Sequence, residues 1–273
     1  MYVFHLIFYG EGCFIFVFIF IFVSIIMSAS KHKWLVAKTA TNVIQRFSHS
    51  AKAIPSKAWK QWGSTLAIGL GLCALIMFIV TRWAMNAEGL QVWDEQTLLS
   101  ITKHFPMSFD KGVTWQSPGN LVGMLPVVIA VAALTSWFKQ PLIAATTAIA
   151  YVLQFAIVWV GWGIWNRDRP DLIANGLAAP GLHSFPSGHA VVVTVVYGFL
   201  FYLWFRESHS WLERLIAIAF ALIWIGLISM SRLVLGAHWP SDVISGLAIA
   251  ILWLFFVILA VKRAETQIDK NKL

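Results

Sequence analysis

Chemistry is concentrated in SRLVLGAHWPSD, residues 231–242, a polar stretch in a chain that is 59% hydrophobic and only 12% charged. His238 and Asp242 are four apart, so the carboxylate can reach one ring nitrogen, fix the tautomer and leave the other nitrogen with a nucleophilic lone pair. Arg232, six residues before the histidine, offers a planar fork that matches phosphate oxygens. Pro240 predicts a helix starting there, with His238 just before its first turn and Asp242 within it. A second cluster is HSFPSGHA, residues 183–190. Pro186 suits a first helical turn, and Ser187 and Gly188 would then present free backbone donors at the positive end of the helix dipole. Gly188 lets an anion approach the backbone with no side chain in the way. His189 can give or take a proton near neutral pH. A third cluster, NRDRPD at 166–171, adds Arg167 and Arg169.

Each cluster alone has an ordinary reading: a proline-initiated helix with an interfacial histidine, or a polar turn with a structural His–Asp pair and a snorkelling arginine. Together they describe in-line displacement at phosphorus. Two or three arginines and a helix N-terminus would hold a tetrahedral anion, and His238 would attack to form a phosphohistidine. His189 would protonate the departing oxygen and then activate water, a role worth roughly 10²–10⁴-fold in rate. The carboxylates at this face are too few for a hard-cation cage, so no metal and no other cofactor is expected.

The elements that must position these groups are transmembrane. The mean hydropathy is +0.75, and fifteen Trp and twenty Phe exceed what a soluble core of 273 residues would hold. Seven stretches lack Asp, Glu, Lys and Arg: 12–30, 61–81, 112–138, 140–166, 172–205, 215–231 and 243–261. A helix crossing the hydrocarbon needs about 17–25 residues. The expected fold is all-α: a polytopic transmembrane bundle with a six-helix core, its spans near 64–82, 119–137, 142–164, 187–205, 212–230 and 243–261. Residues 1–30 are expected to hold an additional N-terminal transmembrane helix, near 3–27, or to reflect a misassigned start. That run reads either as an uncleaved N-out anchor or as the product of a misassigned start, with translation beginning at Met27. Residues 31–62 read as a basic cytoplasmic linker or an interfacial amphipathic helix, residues 63–262 as the six-helix domain, and residues 263–273 as a cytoplasmic tail.

With these spans the loops alternate sides, and fourteen of the twenty Lys and Arg fall on one side, which the positive-inside rule makes cytoplasmic. The three clusters then share the opposite, extracytoplasmic face. The net charge of +8 reflects this orientation rather than nucleic-acid binding, because the basic residues are dispersed and form no recognisable nucleic-acid motif. Cys13 and Cys73 both lie inside apolar runs, which argues against a disulfide framework or a cysteine metal site. Nothing in the sequence sets an oligomeric state.

These residues resemble the membrane type-2 phosphatidic acid phosphatases (PAP2), whose superfamily includes vanadium haloperoxidases and glucose-6-phosphatase. Its signatures are Lys-x6-Arg-Pro, Pro-Ser-Gly-His and Ser-Arg-x5-His-x3-Asp. The second matches at Pro186, Ser187, Gly188 and His189, and the third at Ser231, Arg232, His238 and Asp242. The first departs: Arg169-Pro170 is present, but the lysine position holds Trp162, leaving Arg167 to provide the missing cation or the lysine dispensable. The resemblance implies His238 as nucleophile, Asp242 as its partner, His189 as acid, and Arg169, Ser187, Gly188 and Arg232 as phosphate ligands.

A site at the outer membrane–water boundary favours a phosphate head on a lipid tail. The resemblance implies a bacterial inner-membrane enzyme acting on undecaprenyl diphosphate, phosphatidylglycerophosphate or phosphatidate, with the polyprenyl diphosphate favoured by the face assigned to the site. Loop 83–118, with Asp94, Glu95, Lys103, His104 and Lys111, reads as an interfacial connector that could shape the lipid entrance. A transporter would place its buried charges at mid-membrane on broken helices, whereas these lie at span ends. A phosphate-lipid-binding pseudoenzyme would be expected to lose His238 and Asp242. A phosphotransferase of the same fold is the remaining alternative.

Overall fold

The computed structural model describes residues 33–173 and 183–271. The apolar run near 3–27, and with it the question of an anchor, lies outside the described residues. The described chain is helical: α1 Lys33–Lys52, α2 Ser56–Met85, α3 Leu90–His104, α4 Phe109–Gln116, a 3₁₀ turn Ser117–Gly119, α5 Leu121–Trp137, α6 Pro141–Ile164, α7 Gly188–Glu207, α8 Trp211–Val234 and α9 Pro240–Lys270. Among the described residues, six segments are long and apolar enough to cross a bilayer: α2, α4 running into α5, α6, α7, α8 and α9. They coincide with the six core spans expected from hydropathy.

Three of the spans begin where local chemistry says they should. Ser210 and Glu213 form a reciprocal capping box at the start of α8. Pro141 and Pro240 open α6 and α9 at positions that need no N–H donor. Helix α7 packs on α6, α8 and α9, and α9 also lies along α2. One core cluster is built around Trp253, Phe185, Met77 and Ile157, and a second joins Met124, Val128, Tyr151 and Ile228. Outward faces stay apolar: Ile68, Leu75 and Ile79 on α2 and Leu215, Leu222 and Ile223 on α8 are exposed. In water this belt would far exceed the apolar patches of soluble monomers.

Residues 33–52, open in the sequence between linker and helix, form α1, which packs on α5 and α6. Arg46 stacks on Trp137 at 4.1 Å and donates to its carbonyl at 3.1 Å. Segment 83–118 is more than a connector. It folds into α3 and α4, which pack on the ends of α8 and α9.

Candidate active site

The three clusters converge at one end of the bundle, where α7 and α9 begin and α6 and α8 end. The chain leaves α8 through Gly236, whose φ of +62° is the left-handed conformation that favours glycine. It reaches His238 and then α9, with Pro240 in the first turn. Asp242 Oδ2 accepts from the Trp239 N–H at 2.8 Å, so the carboxylate also serves an orphan donor of the helix start. Asp242 is fully buried and His238 is 2% exposed.

Asp242 pairs with His238 as the i,i+4 spacing predicts, but at longer range than a direct hydrogen bond. Nδ1 lies 2.9 Å from the Ser184 carbonyl oxygen but 3.6 Å from Asp242 Oδ2. A carbonyl only accepts, so Nδ1 carries the proton and Nε2 keeps the lone pair. Asp242 acts one step removed, by accepting from the Ser184 hydroxyl. Burial pulls the His238 pKa down to about 4, against the opposing pull of Asp242. The imidazole is therefore neutral at pH 7, as a nucleophile must be. Its Nε2 faces Arg169 Nη1 at 3.3 Å, and that arginine is anchored to the Ala237 carbonyl at 2.5 Å. Burial also lowers the Arg169 pKa, with Asp242 opposing.

Arg232 is 3% exposed. Its Nε and Nη1 are buried with no hydrogen-bond partner, and its charge is close enough to act on His238. A buried guanidinium with idle donors is costly, and an anion between it and Arg169 would remove the cost. Helix α7 aims its N-terminus at the same region with a one-residue offset from expectation. Pro186 lies ahead of the N-cap rather than in the first turn, because α7 begins at Gly188 with Ser187 as cap. The Ser187 N–H is not free, since it donates to the Asp242 carbonyl at 3.0 Å. The first-turn donors left for an anion are those of Gly188 and His189. The Ser187 hydroxyl accepts from the Ala190 N–H at 3.5 Å. This junction requires Gly246 on α9, where a Cβ would lie 2.8 Å from the Ser187 carbonyl oxygen.

His189 Nε2 lies 2.6 Å from Asn120 Oδ1, a partner that carries no motif and went unrecognised in the sequence. Trp162, at the lysine position of the first signature, covers this turn. Its Nε1 donates to the Pro186 carbonyl at 3.1 Å, its ring stacks on His183, and it would lie 3.4 Å from a Cβ on Gly188. A groove lined by Trp159, Trp162, Ile164, Asn166 and His183 opens beside it.

Arg167 does not take over from the missing lysine. Its Nη1 is bound to Asp242 Oδ1 and Ser241 Oγ, both at 2.7 Å, and its Nη2 to Asp94 Oδ2 at 2.6 Å and Gln91 Oε1 at 3.0 Å. Both terminal nitrogens are committed to protein, because two buried carboxylates outcompete any weaker demand. The cations left for an anion are Arg169 and Arg232.

Comparison with known proteins points to one family. Residues 142–265 match the model of the PAP2 superfamily. A relative in Escherichia coli (strain K12), whose name assigns it provisionally to the undecaprenyl-diphosphatases, is 28% identical over 47% of this chain; the chain spans 62% of that relative's length. Phosphatidylglycerophosphatase B of Bacillus subtilis (strain 168) is 35% identical over 67% of this chain and 90% of its own length. The crystal structure of a transmembrane PAP2-type phosphatidylglycerolphosphate phosphatase from Bacillus subtilis superposes with a TM-score of 0.57 at 20% identity, covering 68% of this chain and 93% of that one. Six apolar helices, two intact signatures meeting at one end of the bundle and a relative matched over nearly its whole length leave one conclusion: this multi-pass membrane protein belongs to the PAP2 superfamily.

Proposed function

We propose that this protein is a lipid phosphate phosphatase that works through a phosphohistidine on His238, with its site on the extracytoplasmic face of a bacterial inner membrane. Arg169, Arg232 and the Gly188 and His189 N–H groups hold the phosphate. His238 Nε2 attacks phosphorus in line, the P–O bond to the lipid breaks, and His189 gives its proton to the departing oxygen. His189 then takes a proton from water, whose oxygen attacks phosphorus as the P–N bond breaks, releasing inorganic phosphate and restoring both histidines. For a diphosphate the attack falls on the terminal phosphorus, and the lipid monophosphate leaves. No metal is needed, because guanidinium groups supply the positive charge and Asp242 and Asp94 are saturated by Arg167, Ser241, Ser184 and Trp239.

The observation that carries this reading is the buried Arg232 guanidinium with two unpartnered donors, close to a neutral imidazole whose Nε2 lone pair faces Arg169. Undecaprenyl diphosphate is the favoured substrate, ahead of phosphatidylglycerophosphate and phosphatidate. The loop charges favour a site on the face where such carriers would be dephosphorylated, and one relative is named for that substrate. Residues 63–262 form the catalytic domain.

The test is phosphate release from these three lipids by purified protein in EDTA, beside His238→Ala. Release abolished in the variant supports the reading; an active variant, or a wild type inert on all three, defeats it. A topology reporter fused after Gly188 should report the extracytoplasmic side.

A further inference from the structure

Asp94 has no part in the chemistry above, yet it is fully buried and among the most heavily bonded carboxylates of the site. It accepts from Arg167 Nη2 at 2.6 Å, from the Ser241 N–H at 2.8 Å and from the Ser241 hydroxyl at 2.6 Å. It reaches them from α3, a helix outside the three clusters. Arg167, on the far side, grips Asp242 Oδ1 at 2.7 Å, and its guanidinium lies 4.7 Å from the Trp165 ring and 5.4 Å from the Trp239 ring. A continuous chain therefore runs from Asp94 through Arg167, Asp242 and the Ser184 hydroxyl to the residue whose carbonyl holds His238 Nδ1.

We propose that Asp94 and Arg167 are positioning residues that set the orientation and protonation of His238 through Asp242, an inference that rests on the phosphatase reading. Asp242 has two oxygens and several suitors. Arg167 occupies Oδ1, which leaves Oδ2 to the Ser184 hydroxyl and the Trp239 N–H and keeps it 3.6 Å from the imidazole. With Arg167 gone, the carboxylate is free to rotate toward Nδ1 and draw the ring off the Ser184 carbonyl. Asp94 fixes Arg167 in place and balances its charge. Burying three charges to this end does not stabilise the fold as an apolar cluster would. What it supplies is geometry: a misplacement of about 1 Å at a reacting group costs about 10²-fold in rate.

The arrangement also has a charge signature. The groups acting on His238 are Asp242 from α9, Arg232 from α8, His189 from α7 and Arg169 from the loop after α6, with Arg167 and Asp94 behind Asp242. Deleting the Arg167 cation strengthens the pull of Asp242 and favours the imidazolium. Deleting the Asp94 anion does the reverse.

The experiment uses the full chain in lipid vesicles, with the lipid phosphate that the wild type hydrolyses best. Arg167→Gln and Asp94→Asn should each lower kcat by about 10²-fold and leave KM within about threefold. Phosphate contacts are untouched, so KM has no reason to move further. The acid limb of kcat/KM should move up by on the order of one pH unit in Arg167→Gln and downward in Asp94→Asn. Arg167→Lys, which keeps the charge and loses the fork, should restore the acid limb while recovering only part of kcat. If Arg167→Gln does not fold, Asp94→Asn and Arg167→Lys decide the matter. Unchanged kcat in folded Asp94→Asn, a loss carried by KM alone, or acid limbs that do not move would overturn the inference while leaving the phosphatase reading intact. A wild type inactive on every lipid phosphate would overturn both.

Discussion

The pH dependence of folding isolates His238 from everything else in the site. The His238 pKa is held near 4 by burial, against 6.5 for an exposed imidazole. Between these values the unfolded chain binds a proton at this ring that the folded chain refuses. Stability should therefore be flat with respect to His238 above about pH 6.5 and fall as the pH drops toward about 4. The gap is about 2.5 pH units, and at about 1.36 kcal/mol per unit it amounts to about 3 kcal/mol. The perturbation is His238→Gln, which keeps a polar side chain of similar reach but cannot take up the proton. Chemical denaturation of wild type and variant in the same detergent, at half-unit steps from pH 7.5 to pH 4, measures the difference directly. The wild type should lose about 3 kcal/mol more than the variant across that window. Two curves that stay parallel down to pH 4 would mean that the ring is not held neutral, and the nucleophile assignment would lose its physical basis.

Arg232→Gln should lower kcat/KM by about 10²–10³-fold, as for other lost anion-stabilising donors, yet leave the ligand-free protein as stable as before or more so, since it removes unpartnered buried donors; activity and thermal unfolding measured side by side check both halves. Gly246→Ala forces a methyl to within 2.8 Å of the Ser187 carbonyl oxygen, and thermal unfolding should register a cost of about 1–3 kcal/mol together with lower kcat as the start of α7 shifts. Trp162→Lys brings an ammonium to the side chain that faces Gly188, and the inhibition constant for inorganic phosphate should tighten about tenfold, the worth of one charge-assisted bond.

The six spans were legible because the bilayer imposes a length and tolerates almost no charge, a constraint that hydropathy reads directly. The anion seat was legible because its parts are local: Pro186 to His189 and Arg232 to Asp242 declare their roles by spacing within a dozen residues. What escaped was whatever acts through the backbone or across distance. The Ser184 carbonyl that orients His238 has no side-chain signature. Asn120, which holds His189, sits 69 residues away in an ordinary turn. Asp94 stands next to Glu95 in segment 83–118, which reads as an interfacial connector, while its partner Arg167 is 73 residues further on. Arg167 declares its type in the sequence but not the competition for it. An arginine two residues from a phosphate ligand is a plausible third cation until a buried Asp94 is seen to claim it. The offset at Pro186 has a similar origin, because proline suits the residue before an N-cap as well as the first turn.

The central claim is that His238 becomes covalently phosphorylated. Rapid quenching of turnover into alkali, where phosphohistidine survives, followed by mass-spectrometric mapping should find phosphate on His238. Phosphate mapped to another residue, or steady turnover by folded His238→Ala, would contradict the account.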